Sequence, residues 1–417
     1  MSATLWALLG AAHLRPEARL KLWVVAFLYF VQGSPVSVLW EVLPVYFRIH
    51  GVSLRAIGGL RLLELPYSVK ALWSPLVHRY GDRRGWVAGG MLTVAAVLVA
   101  LPFTDVAHAG WVVLGLILLL TFASATQDIA IDSYTVGLVD RDELGPANGV
   151  RASAYRVALI ILGGGMVLLA SVLPWTALYL GAALLFLGLG LGALRVPRLD
   201  LPREAREHWL APFVGWIGTW RALPLAGFVV TYKLGEFAIG PMVKPFWVDY
   251  GGTIWPSREE LMFQIGLVPT TLGIVLSIAG ALAGGAFIAR YGVFRGVWVL
   301  GIPQAVSNLG YAGVAWGGLG WPALYGASVF ESLSGGLGTA AFLALLMNIC
   351  QKEHATIQYA VLSSLFSLTG RLAGAVSGFG AERFGYDAYF ALTFLLALPA
   401  YALLPWVAGW VREGPGE

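Results

Sequence analysis

The chain has 417 residues, 58% of them hydrophobic and only 12% charged, with a formal net charge of +4. Soluble domains carry about 25% charged residues, so this composition, with a mean hydropathy of +0.75, excludes an ordinary water-soluble fold. The single Cys350 excludes an intrachain disulfide and a cysteine-rich metal centre, and neither a metal nor an organic cofactor is expected.

Runs of about 20 mostly apolar residues, each able to cross roughly 30 Å of hydrocarbon, recur along the whole length. They predict twelve transmembrane helices over 22–47, 54–77, 86–104, 110–136, 147–172, 175–194, 222–247, 262–288, 295–315, 320–349, 356–379 and 386–410. The expected fold class is therefore an all-α polytopic membrane protein. The first run is too long for a signal-peptide core and no small-residue cleavage site follows it, so it is expected to remain as helix 1. It contains Gln32-Gly-Ser-Pro35, Glu41 and Pro44. In transporter folds such an interrupted helix tends to line the solute path.

Helix 2 carries Arg61, Glu64 and Lys70. Helix 4 reads Thr126-Gln127-Asp128-Ile-Ala-Ile-Asp132, which sets two carboxylates one turn apart. Carboxylates at that spacing repel and need a cation or a shared proton. The expected partners are Arg151 and Arg156 on helix 5. A coupling or gating role is favoured for Asp128; for Asp132 that role and a fixed charge cluster locking helices 4 and 5 stand level.

In the second half, helix 7 holds Tyr232-Lys233-Leu-Gly-Glu236, where Lys233 and Glu236 can pair within the helix. Pro241 and Pro245 are expected to break it. Helix 9 carries a polar stripe of Gln304, Ser307, Asn308 and Tyr311, for which hydrogen bonding between helices is the plainer reading. Glu331 on helix 10 is expected to approach Lys233 or Arg371. No histidine lies deep in a helix, so proton coupling would fall to carboxylates.

The pattern Arg-Tyr-Gly-x-x-Arg-Gly occurs at Arg79–Gly85 and again at Arg290–Gly296. Recurrence at about half the chain length points to two membrane-embedded halves related by duplication. The polar linker Pro197–His208 is the natural seam. The expected organisation is a six-helix bundle over 1–196, a cytoplasmic linker over 197–215 and a second bundle over 216–417. Basic clusters at Arg15, Arg19 and Lys21, at Arg79, Arg83 and Arg84, at Arg195, Arg198, Arg203 and Arg206, and at Arg290 and Arg295 fall on one side. The other side has Arg48, Arg55, Arg258 and Arg383. By the positive-inside rule both termini are cytoplasmic. The basic balance is then a matter of topology and needs no nucleic-acid partner.

An ionised side chain at the bilayer centre costs at least ~2.5–3.5 kcal/mol on insertion scales, so the buried acids and bases should pair or line a cavity. The candidate substrate and proton-coupling residues are Gln32, Glu41, Glu64, Lys70, Gln127, Asp128, Asp132, Arg156, Lys233, Glu236, Gln304, Asn308, Glu331 and Arg371. The candidate gating loops hold Arg79, Gly81, Asp82, Arg83, Arg84, Arg290, Gly292 and Arg295. There is no HExxH, GxSxG or phosphate-binding loop, so no catalytic residue is assigned and an enzyme is not expected. A lipid scramblase and an intramembrane enzyme are the readings from another class.

Several blocks together resemble the AmpG-type permeases and the related acetyl-CoA transporters of the major facilitator superfamily. They are Leu65-Pro-Tyr-Ser-Val-Lys70-Ala-Leu-Trp-Ser-Pro-Leu76, Gln127-Asp-Ile-Ala-Ile-Asp132, Tyr232-Lys-Leu-Gly-Glu236 and Gln304-x-x-Ser-Asn308-x-x-Tyr311, then Phe330 through Cys350 and Gln358 through Ser364. The resemblance implies a facilitator of the bacterial inner membrane, and the chain is expected to act as a monomer. Its partners would be the lipid bilayer, protons and a bulky polar solute such as an anhydromuropeptide, imported by proton symport. Lys70, Gln127, Asp128, Asp132, Lys233, Glu236 and Glu331 fall on the matching positions. The chain departs from the pattern at His78, where many relatives have an acid, and at Arg61 and Glu64, an extra charge pair. Siderophore, acyl-CoA-like and drug carriers are the alternatives within the same fold.

Overall fold

A computed structural model describes residues 15–80, 82–107, 110–140, 143–199, 223–350 and 355–411. The segments are α1 (Pro16–Ile49), α2 (54–79), α3 (Arg83–Phe103), α4 (Trp111–Leu138), α5 (Leu144–Leu169) and α6 (Trp175–Ala193), then α7 (223–254), α8 (Arg258–Tyr291), α9 (Val293–Gly317), α10 (Trp321–Ile349), α11 (355–384) and α12 (386–407). No strand occurs among the described residues. Eight helical stretches there are long and apolar enough to cross a bilayer by length and composition, and α2, α7 and α9 do not meet that criterion. The last of the eight contains the bend between α11 and α12, where Gly385 adopts φ +79°. Gly292 at φ +86° makes the equivalent turn between α8 and α9. A side chain is strained at such angles, whereas glycine is not.

Three helices loosen into π-helical turns: Val38–Val42 in α1, Leu159–Gly164 in α5 and Gly266–Leu272 in α8. The one in α1 ends just before Pro44, which opens the next α-helical piece where its missing N–H matters least. α2 alternates between α-helical and 3-10 turns, with Pro66 and Pro75 each starting a new piece.

The expected break at Pro241 and Pro245 lies elsewhere. Both prolines sit inside the continuous piece Leu234–Ile254, and α7 opens instead at Tyr232 and Lys233, after Leu223–Thr231. Packing neighbours hold the proline-containing stretch in shape. The opening frees Tyr232 to stack on Phe342, ring centroids 5.3 Å apart. It also frees Lys233 to reach three oxygens.

Two compact units form: Met1–Val52 with Leu63–Glu204, and Ser53–Leu62 with Ala205–Glu417. Of the linker expected over 197–215, only residues up to 199 are described. In the first unit α1 packs on α4 and α5, and α3 packs on α4 and α6. In the second, α10 lies against α8 and α9, and α7 lies against α11 and α12.

The opening turns of α2 join the second unit. A Cβ on Gly378 of α11 would sit 1.7 Å from the Leu54 carbonyl oxygen, and one on Gly58 would sit 2.7 Å from the Gly378 nitrogen. Small residues permit this backbone approach. Arg55 closes the end of the contact, with Nε 2.6 Å from Glu382 Oε2 and its guanidinium over Phe379. Large apolar side chains such as Leu118, Phe122, Leu184, Leu282 and Trp316 remain exposed, as helices solvated by lipid require.

Candidate functional site

In the first unit the helix 4 carboxylates are gathered by three elements. Lys70, on the irregular α2, forms an ion pair with Asp128 and lies 3.7 Å from Asp132 Oδ2. Arg151 of α5 places Nη2 3.4 Å from Asp132 Oδ1. Tyr29 of α1 donates its hydroxyl to that same oxygen at 2.6 Å, and the Arg151 guanidinium lies 4.5 Å over the Tyr29 ring. Asp132 thus has three partners. Asp128 has Lys70 alone among the described residues.

Of the two arginines expected to neutralise the pair, Arg151 reaches Asp132, while Arg156 makes no ion pair within 4.0 Å among the described residues. Five residues separate them, so they point about 140° apart around α5. Lys70 takes the place assigned to Arg156.

Around this cluster the polar side chains are arranged by close packing. Tyr67 donates to Ser124 at 2.6 Å and Trp73 to Thr126 at 3.1 Å, pinning α2 to α4. Gln127 is fully buried and donates to the Val31 carbonyl at 3.0 Å, tying α4 to α1. Its Oε1 accepts no hydrogen bond among the described residues, and neither does that of Gln32. Glu64 is buried and accepts from the Trp40 indole at 3.2 Å. Glu41 is buried where the π-helical turns of α1 and α5 meet; a Cβ on Gly163 would come 2.6 Å from its Cγ.

The second unit has its own charged knot. Lys233, 1% exposed, pairs with Glu236 and donates to Thr339 Oγ1 at 2.7 Å and the Gly335 carbonyl at 3.3 Å. The pairing expected from the i, i+3 spacing is present. Thr339 and Gly335 lie on α10, so the lysine also clamps the opening of α7 to that helix. Glu331 accepts from Ser332 at 3.2 Å and lies within electrostatic reach of Glu236, Lys244 and Lys233. Arg371 donates to the Ser367 carbonyl at 3.1 Å, one turn back along α11. Arg61 packs its stem on Gly374, which Pro241 also approaches. Gln304 and Asn308 are buried; the first abuts Gly338 of α10 and the second Gly235 of α7.

The residues of the loop between α2 and α3 form a local clasp. Asp82 caps α3 by accepting from the Arg84 N–H at 3.1 Å. It also accepts from Arg84 Nε at 2.8 Å, and these bonds hold its carboxyl below the usual carboxylate range. Arg84 Nη1 donates to the carbonyls of Leu194 and Val196 at 3.0 and 2.8 Å, capping the end of α6. Arg83 donates to Ser133. The duplicated pattern keeps one contact in both copies: Arg79 lies 5.6 Å over Tyr80, and Arg290 5.3 Å over Tyr291. Arg295 is exposed, and Gly81 lies outside the described residues.

Sequence reasoning did not include Tyr29, Ser332 or Thr339 in the site. Tyr29 sits three residues before Gln32 on one face of α1, and that spacing is the only signal it offers.

Several comparisons with known proteins bear on this geometry. A family model described as acetyl-coenzyme A transporter 1 matches residues 21–112. The anhydromuropeptide permease of Escherichia coli K12 is 29% identical over 391 residues, 91% of this chain and 78% of that one. An uncharacterized protein of Haemophilus influenzae is 30% identical over 422 residues, covering 94% of this chain and 96% of its own. Among solved structures, an inward-facing, unoccupied bacterial homologue of the human lysosomal transporter Spinster shares the fold, with a TM-score of 0.75 over 96% of this chain and 100% of the other at 12% identity. A multi-pass helical membrane transporter of the major facilitator type is the class these features define. Within that class, the chain belongs to the AmpG-type permease family.

Proposed function

We propose that this chain is a proton-coupled importer of a bulky polar solute bearing carboxylates, such as an anhydromuropeptide. It would act as a monomer in the bacterial inner membrane, with twelve crossings in two six-helix halves and both termini cytoplasmic. The observation that carries this reading is the pair of charged clusters, Lys70 with Asp128 and Asp132 in one unit and Lys233 with Glu236 near Glu331 in the other. Ionisable groups at membrane depth are costly and are found where ions or solutes pass. The name of the Escherichia coli relative supports the solute class. The gating loops are read as the hinges of alternating access: Arg84 and Asp82 link α3 to α6, and Gly292 turns α8 into α9.

The test is uptake of radiolabelled anhydromuropeptide by purified protein in liposomes. An imposed gradient, acidic outside, should drive accumulation, and a protonophore should abolish it. Uptake indifferent to the gradient removes the coupling, and no uptake at all removes the solute. The family model at residues 21–112 favours an acyl-CoA-like solute as second reading. Acetyl-CoA added as competitor in the same assay separates the two.

A further inference from the structure

Asp128 and Asp132 lie one turn apart on α4, yet their surroundings differ. Asp132 Oδ1 accepts from the Tyr29 hydroxyl and faces Arg151, and its Oδ2 faces Lys70. Removing a proton acceptor with three partners from service is difficult, because each partner stabilises the charged form. Asp128 depends on Lys70 alone among the described residues, and its side chain is only 14% exposed. Lys70 is shared between the two acids and is 32% exposed, so it remains reachable.

The charges sum to zero: two carboxylates against Lys70 and Arg151. A proton arriving at Asp128 leaves the cluster with one net positive charge and leaves Lys70 with only Asp132, at 3.7 Å. A carboxylate of the solute beside Lys70 restores neutrality. An anion without the proton, or the proton without the anion, leaves an uncompensated charge among apolar helices, which is costly. Obligatory coupling follows from that asymmetry.

We propose that this cluster couples one proton to one solute carboxylate, with Asp128 carrying the proton, Lys70 receiving the anion, and Asp132 serving as the counter-charge held by Tyr29 and Arg151. The assignment rests on the proton-coupled reading above. The only bond made is O–H on an Asp128 oxygen, and the same bond breaks when the proton leaves on the other side. The groups facing Asp128 from the neighbouring elements are Lys70 and Tyr67 of α2, Asp132 of α4, and Arg151 and Tyr155 of α5; Glu64 of α2 acts through Tyr67 and Tyr155, and Tyr29 of α1 through Asp132.

Two measurements on the full chain in liposomes test this. The first is infrared titration with isotope-labelled aspartate and no solute present, carried to a pH low enough to force the proton onto the cluster without its anion. A protonated-carboxyl band is expected that disappears in Asp128→Asn and persists in Asp132→Asn. A band that survives Asp128→Asn, is lost with Asp132→Asn, or is absent from the wild type overturns the proposal. Asp128→Glu, which keeps the carboxyl, should restore proton-driven uptake in part and guards against misfolding as the cause.

The second uses radiolabelled anhydromuropeptide. Asp128→Asn should retain solute exchange in the absence of a gradient while net proton-driven uptake falls on the order of 100-fold, and Lys70→Gln should lose both, the scale set by a buried charge left without its partner. Proton-driven uptake that survives Asp128→Asn overturns the assignment while sparing the transporter reading. Wild-type protein that shows the band but ignores the muropeptide refutes the solute and leaves the proton assignment supported.

Discussion

Lys233 is the residue whose removal should be felt most in the second unit. It is enclosed by Glu236, Thr339 and Gly335, and it has almost no exposed surface with which to meet a solute. Its work is therefore structural first. Lys233→Ala leaves the Glu236 carboxylate without its cation; with 28% of that side chain exposed, the loss falls below the ~3–5 kcal/mol of a fully buried pair. The double variant Lys233→Ala with Glu236→Ala should be milder, because neither charge is then stranded. Apparent melting temperatures in detergent would order the three proteins, and a double variant less stable than the single one contradicts the clamp. Asp82 offers the opposite case. Its carboxyl titrates below its ordinary value of 3.8 because Arg84 bonds to it. The stabilisation is thus complete above about pH 4 and is lost as the pH falls through the lowered value. Asp82→Asn should cost the same small amount at pH 8 and pH 6, and nothing once the native carboxyl is itself protonated. The effect stays small because the group is substantially exposed.

At the level of elements, the π-helical turns of α1 and α5 meet at Glu41 and Gly163. Such turns recur at functional positions because they widen a helix without ending it. Gly163→Ala would force the Glu41 stem aside and should lower uptake while folded protein persists in the membrane. Unchanged transport kinetics in that variant would show that the contact is only packing. Where the opening turns of α2 meet α11, Gly378→Ala drives a methyl into the Leu54 carbonyl. Overpacking of this kind costs about 1–3 kcal/mol, and an unaltered melting temperature would mean that α2 shifts freely. Charge and proline spacing announced irregular helices at α1 and α7, but not the alternation of turns in α2. They misplaced the opening of α7, because a proline within a helix is tolerated when neighbours hold it, whereas Lys233 had to find acceptors that lie on another helix. The pairing of Lys70 with Asp128 was equally hidden: 58 residues separate them, and nothing in the spacing of either motif shows that they meet.

For the molecule as a whole, orientation can be read directly in the membrane. In a Cys350→Ser background, Arg198→Cys should react with an impermeant thiol reagent only in inverted vesicles, and Arg258→Cys only in right-side-out ones; the reverse pattern overturns the topology. Apolar run length, the sparse charge, the duplicated Arg-Tyr-Gly pattern and the family motifs were enough, read as sequence, to determine an α-helical multi-pass transporter of the AmpG type. Hydrocarbon leaves little choice there, since each spanning segment must satisfy its own backbone hydrogen bonds. Apart from Lys233 with Glu236 and Arg151 with Asp132, which the spacing and helix order already suggested, the meeting of acids and bases was decided by tertiary structure. Lys70 displaced Arg156 as the cation of Asp128, Tyr29 entered the cluster from α1, and the start of α2 joined the second unit. These choices depend on which helix faces come within the few ångströms at which an ion pair or hydrogen bond can form, and that is set by packing rather than by sequence spacing.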